Sequence, residues 1–314
     1  MLNHLQAIII SILQGVSELF PVSSLGHAVL LPKLLGWSIN EKAAYWLAFL
    51  VALHLGTATA LLIYFRDEWV AVARAFVRSV QTGQMGGDHD ERLAWMVVLG
   101  TIPAGVVGFA LQNPLRSLFA SPSSAAIFLI VNGTIMIAGE CLLQRQLSQR
   151  MVVAESIPVT ASHAGSSGLT RDESAPYTAD TDPGYRDITQ LSWRDAAIVG
   201  FAQVGSLLPG ISRSGVTMVA GLVAGLTHEA AARYAFLLAT PIIGAAGVLE
   251  IPQLFDSSGR SVLGDALVGM VLAGIAAYLS VRFLMRYFET GRLYPFAFYS
   301  CTVGVGSLLW LTLH

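Results

Sequence analysis

The 314-residue chain is 54% hydrophobic and only 12% charged, with a mean hydropathy of +0.63, whereas about a quarter of a soluble domain is normally charged. This excludes a soluble globular protein, and unbroken apolar runs in place of alternating ten-residue segments exclude a β-barrel. An all-α polytopic membrane protein is expected, in contact with membrane lipids; its net charge of −2 leaves no footprint for nucleic acid.

The opening Met1-Leu2-Asn3-His4 has no cationic flank and no small-residue cleavage site follows, so the first apolar segment is expected to stay in the mature protein. Residues 5–35 are apolar but interrupted by Gln14, Glu18, Ser23, Ser24 and His27. Three runs long enough to cross about 30 Å of hydrocarbon follow at 43–65, 93–111 and 125–143. A second interrupted region, 196–226, is broken by Gln203, Pro209, Ser212, Arg213, Ser214 and Thr217, and three more spans follow at 234–251, 262–285 and 294–313. Non-helical backbone at membrane depth needs protein or a water-filled cavity around it, so each interrupted region reads as a re-entrant helical hairpin.

The expected units are a first repeat at 1–143, a hydrophilic linker at 144–194 and a second repeat at 195–314. Leu99, Thr101, Gly105 and Gly108 match Leu238, Thr240, Gly244 and Gly247 in register. Three spans per half is an odd number, which turns the second copy upside down: an inverted-topology repeat with its site at the repeat interface. Arg66, Arg74, Arg78, Arg92, Arg145, Arg150, Arg171, Arg186, Arg194, Arg282, Arg286 and Arg292 fall on one side of the six spans. Lys33, Lys42, Arg116 and Arg260 fall on the other. The arginine-rich side is expected to be cytoplasmic, which puts the termini and the first hairpin's mouth outside. Residues 155–187 carry six acids, two arginines and almost no large apolar side chains, the composition of a disordered cytoplasmic spacer.

Chemistry concentrates at the two breaks. In the first, Pro21 stops a helix and Ser23 or Ser24 caps the next, so N–H groups of a helix N-terminus face the cavity and form an anion site. Ser24 and His27, three apart, share a helix face, and a hydroxyl beside a base is a minimal nucleophile pair. Glu18 either orients His27 or holds a divalent cation such as Mg²⁺, since an acid inside a membrane is costly and usually functional. In the second break, the Arg213 fork with the Ser212, Ser214 and Thr217 hydroxyls suits phosphate oxygens. Gln14, Ser23 and Gly210 complete the expected substrate-binding set. A Glu18–Arg213 ion pair across the repeat interface is the alternative reading of the two charges, and both roles can coexist in the empty protein. His54, Cys141 and Cys301 read as packing residues, and Glu140, Glu250 and Asp265 as interfacial ones.

The stretches Glu18-Leu19-Phe20-Pro21-Val22-Ser23-Ser24-Leu25-Gly26-His27 and Pro209-Gly210-Ile211-Ser212-Arg213-Ser214-Gly215-Val216-Thr217 resemble the undecaprenyl-diphosphate phosphatase family, bacterial enzymes associated with bacitracin resistance. Arg233-Tyr234-Ala235-Phe236-Leu237-Leu238-Ala239-Thr240-Pro241 is similar to a further family segment. Gln14 stands where that family often has glutamate, and the hydrophilic insertion is long for it. The resemblance implies removal of the terminal phosphate from undecaprenyl diphosphate at the outer face of the bacterial inner membrane, recycling the lipid carrier for cell-wall synthesis. Arg213, Ser212 and Thr217 would then hold the diphosphate. Either Ser24 attacks with His27 as base, or His27 activates water while Ser24 only donates a hydrogen bond. A transporter or flippase for polyprenyl phosphate is the alternative function, and a homodimer is the protein partnership entertained.

The spacer reading carries a prediction. Replacing 156–185 by a short Gly/Ser linker should leave turnover of a polyprenyl diphosphate unchanged, because a disordered segment contributes few contacts. A replaced chain that folds in detergent but loses most of its turnover contradicts the spacer assignment.

Overall fold

The computed structural model describes residues 2–40, 43–111, 118, 121–156, 186–256 and 260–313. Among them lie eleven α-helices: α1 (His4–Leu19), α2 (Ser24–Leu34), α3 (Ala44–Tyr64), α4 (Arg66–Thr82), α5 (His89–Ala110), α6 (Pro122–Ser156), α7 (Trp193–Ala202), α8 (Arg213–Val223), α9 (His228–Phe255), α10 (Leu263–Phe288) and α11 (Tyr294–Leu313). Six of these, α3, α5, α6, α9, α10 and α11, are long and apolar enough to cross a membrane. They are the six expected spans. The largest shift of a start is at α9, which begins at His228 because Thr227 caps it, accepting from the Ala230 N–H at 3.0 Å.

Both interrupted regions are pairs of short helices. At 1.5 Å per residue, the 16 residues of α1 and the 11 of α2 each fall short of a core about 30 Å thick. α1 ends at Leu19 because Phe20 precedes Pro21, whose ring disfavours helical backbone in its neighbour; Phe20 is extended at φ −62°, ψ 138°. The same logic operates before Pro209, where Leu208 is extended at φ −85°, ψ 130° after a 3-10 turn, Gln203–Leu207. Each pair then restarts on a serine. Ser23 accepts from Gly26 N–H at 3.3 Å and Ser212 from Gly215 N–H at 3.2 Å.

The packing exchanges the halves. α1 lies on α10 and α7 on α5, while α3 pairs with α9 and α6 with α11 across the interface. α3 also packs extensively along α10. At the breaks, Gln14, Ser23 and Gly26 share their spacing with Gln203, Ser212 and Gly215.

One helix was not expected. α4 follows α3 with only Phe65 between them and buries Val72, Ala75 and Ser79 on one side, an amphipathic stripe between two expected spans where no element was assigned. The folded body also reaches into the expected linker from both ends. α6 continues to Ser156, and the chain re-enters at Arg186, whose N–H bonds Gly225 O at 2.9 Å. Arg186 also reaches the Asp195 carboxylate at 2.9 Å. Burial pushes the Asp195 carboxyl up, but hydrogen bonds from Ser192 and the Arg186 charge outweigh it and hold the group below its ordinary value. Residues 157–185, the centre of the linker, lie outside the described residues.

Close approach of α1 to α10 depends on Gly15, where a Cβ would lie 2.3 Å from the Ala273 carbonyl oxygen. Gly15→Ala should destabilise the protein by about 1–3 kcal/mol, because backbone cannot yield cheaply. Gly247→Ala, which meets only the movable end of Leu55 at 2.4 Å, should cost less. Thermal unfolding of both variants in one detergent decides; equal losses contradict the α1–α10 contact.

Candidate active site

The two breaks touch. A Cβ on Gly26 would lie 3.0 Å from the Gly210 Cα, and one on Gly210 would lie 2.3 Å from the Ala125 carbonyl oxygen of α6. Gly210 also holds φ +103°, a conformation glycine adopts without steric cost. The N-termini of α2 and α8 are thereby brought to one place. Ser23 takes φ +68° between Pro21 and α2, the left-handed backbone that a non-glycine residue adopts only when its surroundings enforce it.

Glu18 is the centre of this place. One carboxylate oxygen accepts from the Arg213 guanidinium of the other half. The other accepts from the Ser24 hydroxyl and from Gln14 Nε2 at 2.9 Å, with His54 Nε2 at 3.5 Å. The Glu18 and Arg213 side chains are 4% and 18% exposed, so each charge relies on the other for most of its solvation.

His27 does not form the expected pair with Ser24. Its Nδ1 lies 2.7 Å from the Ser23 carbonyl and its Nε2 lies 2.9 Å from the Tyr299 hydroxyl, and its ring stacks on Tyr299. A carbonyl only accepts, so Nδ1 carries the proton and Nε2 receives one from Tyr299 in the neutral ring. Both nitrogens are engaged, and Ser24 donates to Glu18 instead. His54 differs: Nδ1 donates to Leu50 O at 2.8 Å, which leaves Nε2 directed toward Glu18.

The hydroxyls of the second break are turned to the protein. Thr217 donates to its own helix at the Arg213 and Ser214 carbonyls, 2.7 and 3.2 Å away. Ser212 and Ser214 lie 3.0 Å apart, and Ser214 reaches Phe20 O at 3.4 Å. These side chains knit the break together. Among the second-half residues expected to bind, Arg213 is the one whose side chain enters the Glu18 cluster.

Among the described residues no three His, Cys, Asp or Glu side chains come together as a metal site requires. Glu18 is the cluster's one carboxylate, and the Arg213 cation already occupies the place opposite it. Such a donor set does not fit a resident divalent cation.

A family model described as "Bacitracin resistance protein BacA" matches residues 7–306. The chain belongs to this family. A protein named "Undecaprenyl-diphosphatase 2" from Frankia alni is 45% identical, covering 96% of each chain. "Undecaprenyl-diphosphatase" from Mycolicibacterium paratuberculosis is 44% identical over 100% of this chain and 99% of its own. "Undecaprenyl-diphosphatase 2" from Burkholderia orbicola is 46% identical over 98% and 96%.

In this BacA family member the sequence reasoning passed over three side chains. His54 was set aside as packing although an ionisable group within a span is a functional signal by default. Asn132 carried the same kind of signal, a lone amide in an apolar run. Tyr299 had none, since tyrosine is common in membrane helices.

The Glu18–Arg213 pair generates a prediction. Arg213→Lys keeps the charge but loses the planar fork, and turnover should fall about 100-fold or more. Lysine retaining most of kcat/KM would show that a point charge suffices.

Proposed function

We propose that this chain is an integral membrane phosphatase that hydrolyses undecaprenyl diphosphate to undecaprenyl phosphate and inorganic phosphate. Family membership and full-length relatives bearing that name support it. The observation that carries the chemistry is the chain of contacts Arg213 to Glu18 to Ser24 across the two breaks. A hydroxyl, a carboxylate able to take its proton, and an arginine stand together where two helix N-termini meet, the parts needed to bind and transfer a phosphoryl group.

In the empty protein Glu18 neutralises Arg213. An arriving diphosphate offers Arg213 a doubly charged partner and releases Glu18 to act as base. Ser24 Oγ then attacks the terminal phosphorus, its proton passes to Glu18, and the bond from that phosphorus to the bridging oxygen breaks, leaving undecaprenyl phosphate. Water attacks the phosphoserine; the bond from phosphorus to Ser24 Oγ breaks as Oγ takes back the proton held by Glu18, and inorganic phosphate leaves carrying the protons of the water. This assignment replaces His27 by Glu18 as the partner of Ser24; the Tyr299 and Ser23 contacts of His27 suit a ring that braces the break. Stabilising charge on the transferring phosphoryl group is the main work of Arg213 and the nearby N–H groups.

Each short helix pair forms a re-entrant hairpin in this reading. The site opens to the outer face of a bacterial inner membrane, since the arginine-rich helix ends mark the cytoplasmic side. A homodimer is one assembly this reading admits, and the size of the purified particle tests it.

The test is phosphate release by purified protein from the C55 diphosphate and from short prenyl diphosphates, with and without EDTA. Release from C55 diphosphate is expected, and its absence would leave a polyprenyl phosphate carrier as the better reading. Ser24→Ala should abolish release, whereas near-normal turnover would select direct attack by water. Loss of activity in EDTA, restored by Mg²⁺, would overturn the metal-free donor set.

A further inference from the structure

The Glu18 cluster is split between two halves of the chain, and something must hold the halves in register. α6 supplies a side chain at that seam. Asn132 is fully buried. Its Oδ1 accepts from Ser212 N–H at 3.0 Å, and its Nδ2 donates to the Pro21 carbonyl at 3.0 Å. Nδ2 also lies 3.3 Å from the Ser300 hydroxyl of α11. The amide orientation follows from its partners, since a backbone N–H only donates and a carbonyl only accepts.

Those two backbone groups belong to opposite breaks. Pro21 lies three residues before Ser24, and Ser212 immediately precedes Arg213. One planar amide therefore bridges the segment carrying the hydroxyl and the segment carrying the guanidinium. Hydrocarbon offers no replacement partner for either backbone group if the amide is removed. Gly215 packs against it as well, where a Cβ would come within 3.1 Å of Asn132 Oδ1.

We infer that Asn132 is a positioning residue for phosphoryl transfer, fixing the separation of the Ser24 and Arg213 segments through hydrogen bonds to Pro21 and Ser212. Its effect is on alignment of the attack, so it should appear in kcat. Misplacement of reacting groups by a fraction of an ångström to 1 Å costs about 10- to 100-fold.

The experiment uses the full chain purified in detergent, assayed for phosphate release from C55 diphosphate, with thermal unfolding measured on the same samples. The inference rests on the phosphatase reading for its assay, and wild-type turnover tests that reading separately. Asn132→Leu should lower kcat at least about 10-fold with KM changed by less than about threefold. Asn132→Ala removes the donor and the acceptor without adding bulk, so it should also lose kcat; it keeps the proposal testable if the leucine variant does not fold. Ser300→Ala removes only the third contact and should leave kcat unchanged. In an Arg213→Lys background, Asn132→Leu should cost less than about twofold, because the alignment it serves is already lost. Wild-type kcat in folded Asn132→Ala, or full additivity with Arg213→Lys, overturns the inference and leaves Asn132 a stability residue.

Discussion

The structure turns on the ion pair between Glu18 and Arg213. An ionised side chain within hydrocarbon is expensive unless a partner of opposite charge and further hydrogen bonds accompany it. Here the partner comes from the other half of the chain, so neither break is electrostatically complete alone. Docking the halves is what makes both charges tolerable, and α6 with α11, like α3 with α9, provides the apolar contact that brings them together.

Electrostatics beyond the pair point the same way. α2 begins at Ser24 and α8 at Arg213, so the positive ends of two helix dipoles meet beside the guanidinium. Glu18 is the counter-charge that balances this convergence in the empty protein. A phosphate presents more negative charge and more acceptor oxygens than one carboxylate, so it competes for the arginine and the N–H groups together. In the proposed reaction binding and activation are then one event: Ser24 already faces the Glu18 carboxylate, and losing the Arg213 charge makes that carboxylate a stronger base.

Much of this was legible in the sequence because hydrocarbon imposes strict rules. Six spans follow from apolar length alone, and Pro21, Pro209 and Ser23 mark breaks and a cap by local stereochemistry, whereas Ser212, expected to meet phosphate, caps α8 instead. The Glu18–Arg213 pair was legible as two charges with no other partner at that depth. Contacts that depend on rotation about a helix were not. Three residues of separation placed Ser24 and His27 on one face, yet Ser23 leaves the chain in left-handed backbone and the His27 ring turns to Tyr299 of α11. α4 was not legible as a span because its stripe is amphipathic rather than apolar, and its arginines served only to mark a side of the membrane.

Gln14 shows why the details of this cluster matter. The amide donates to Glu18 at 2.9 Å, so a carboxylate in its place would set two negative groups against each other across a hydrogen-bond distance. One of them would have to keep a proton, or a cation would have to come between them. With glutamine, Glu18 remains a single base served by neutral donors, with Arg213 as its one close arginine and His54 as the nearby imidazole. The residue at the start of the motif is thus coupled to the chemistry available at its end. It makes a cluster that needs no shared proton and offers a cation only one carboxylate.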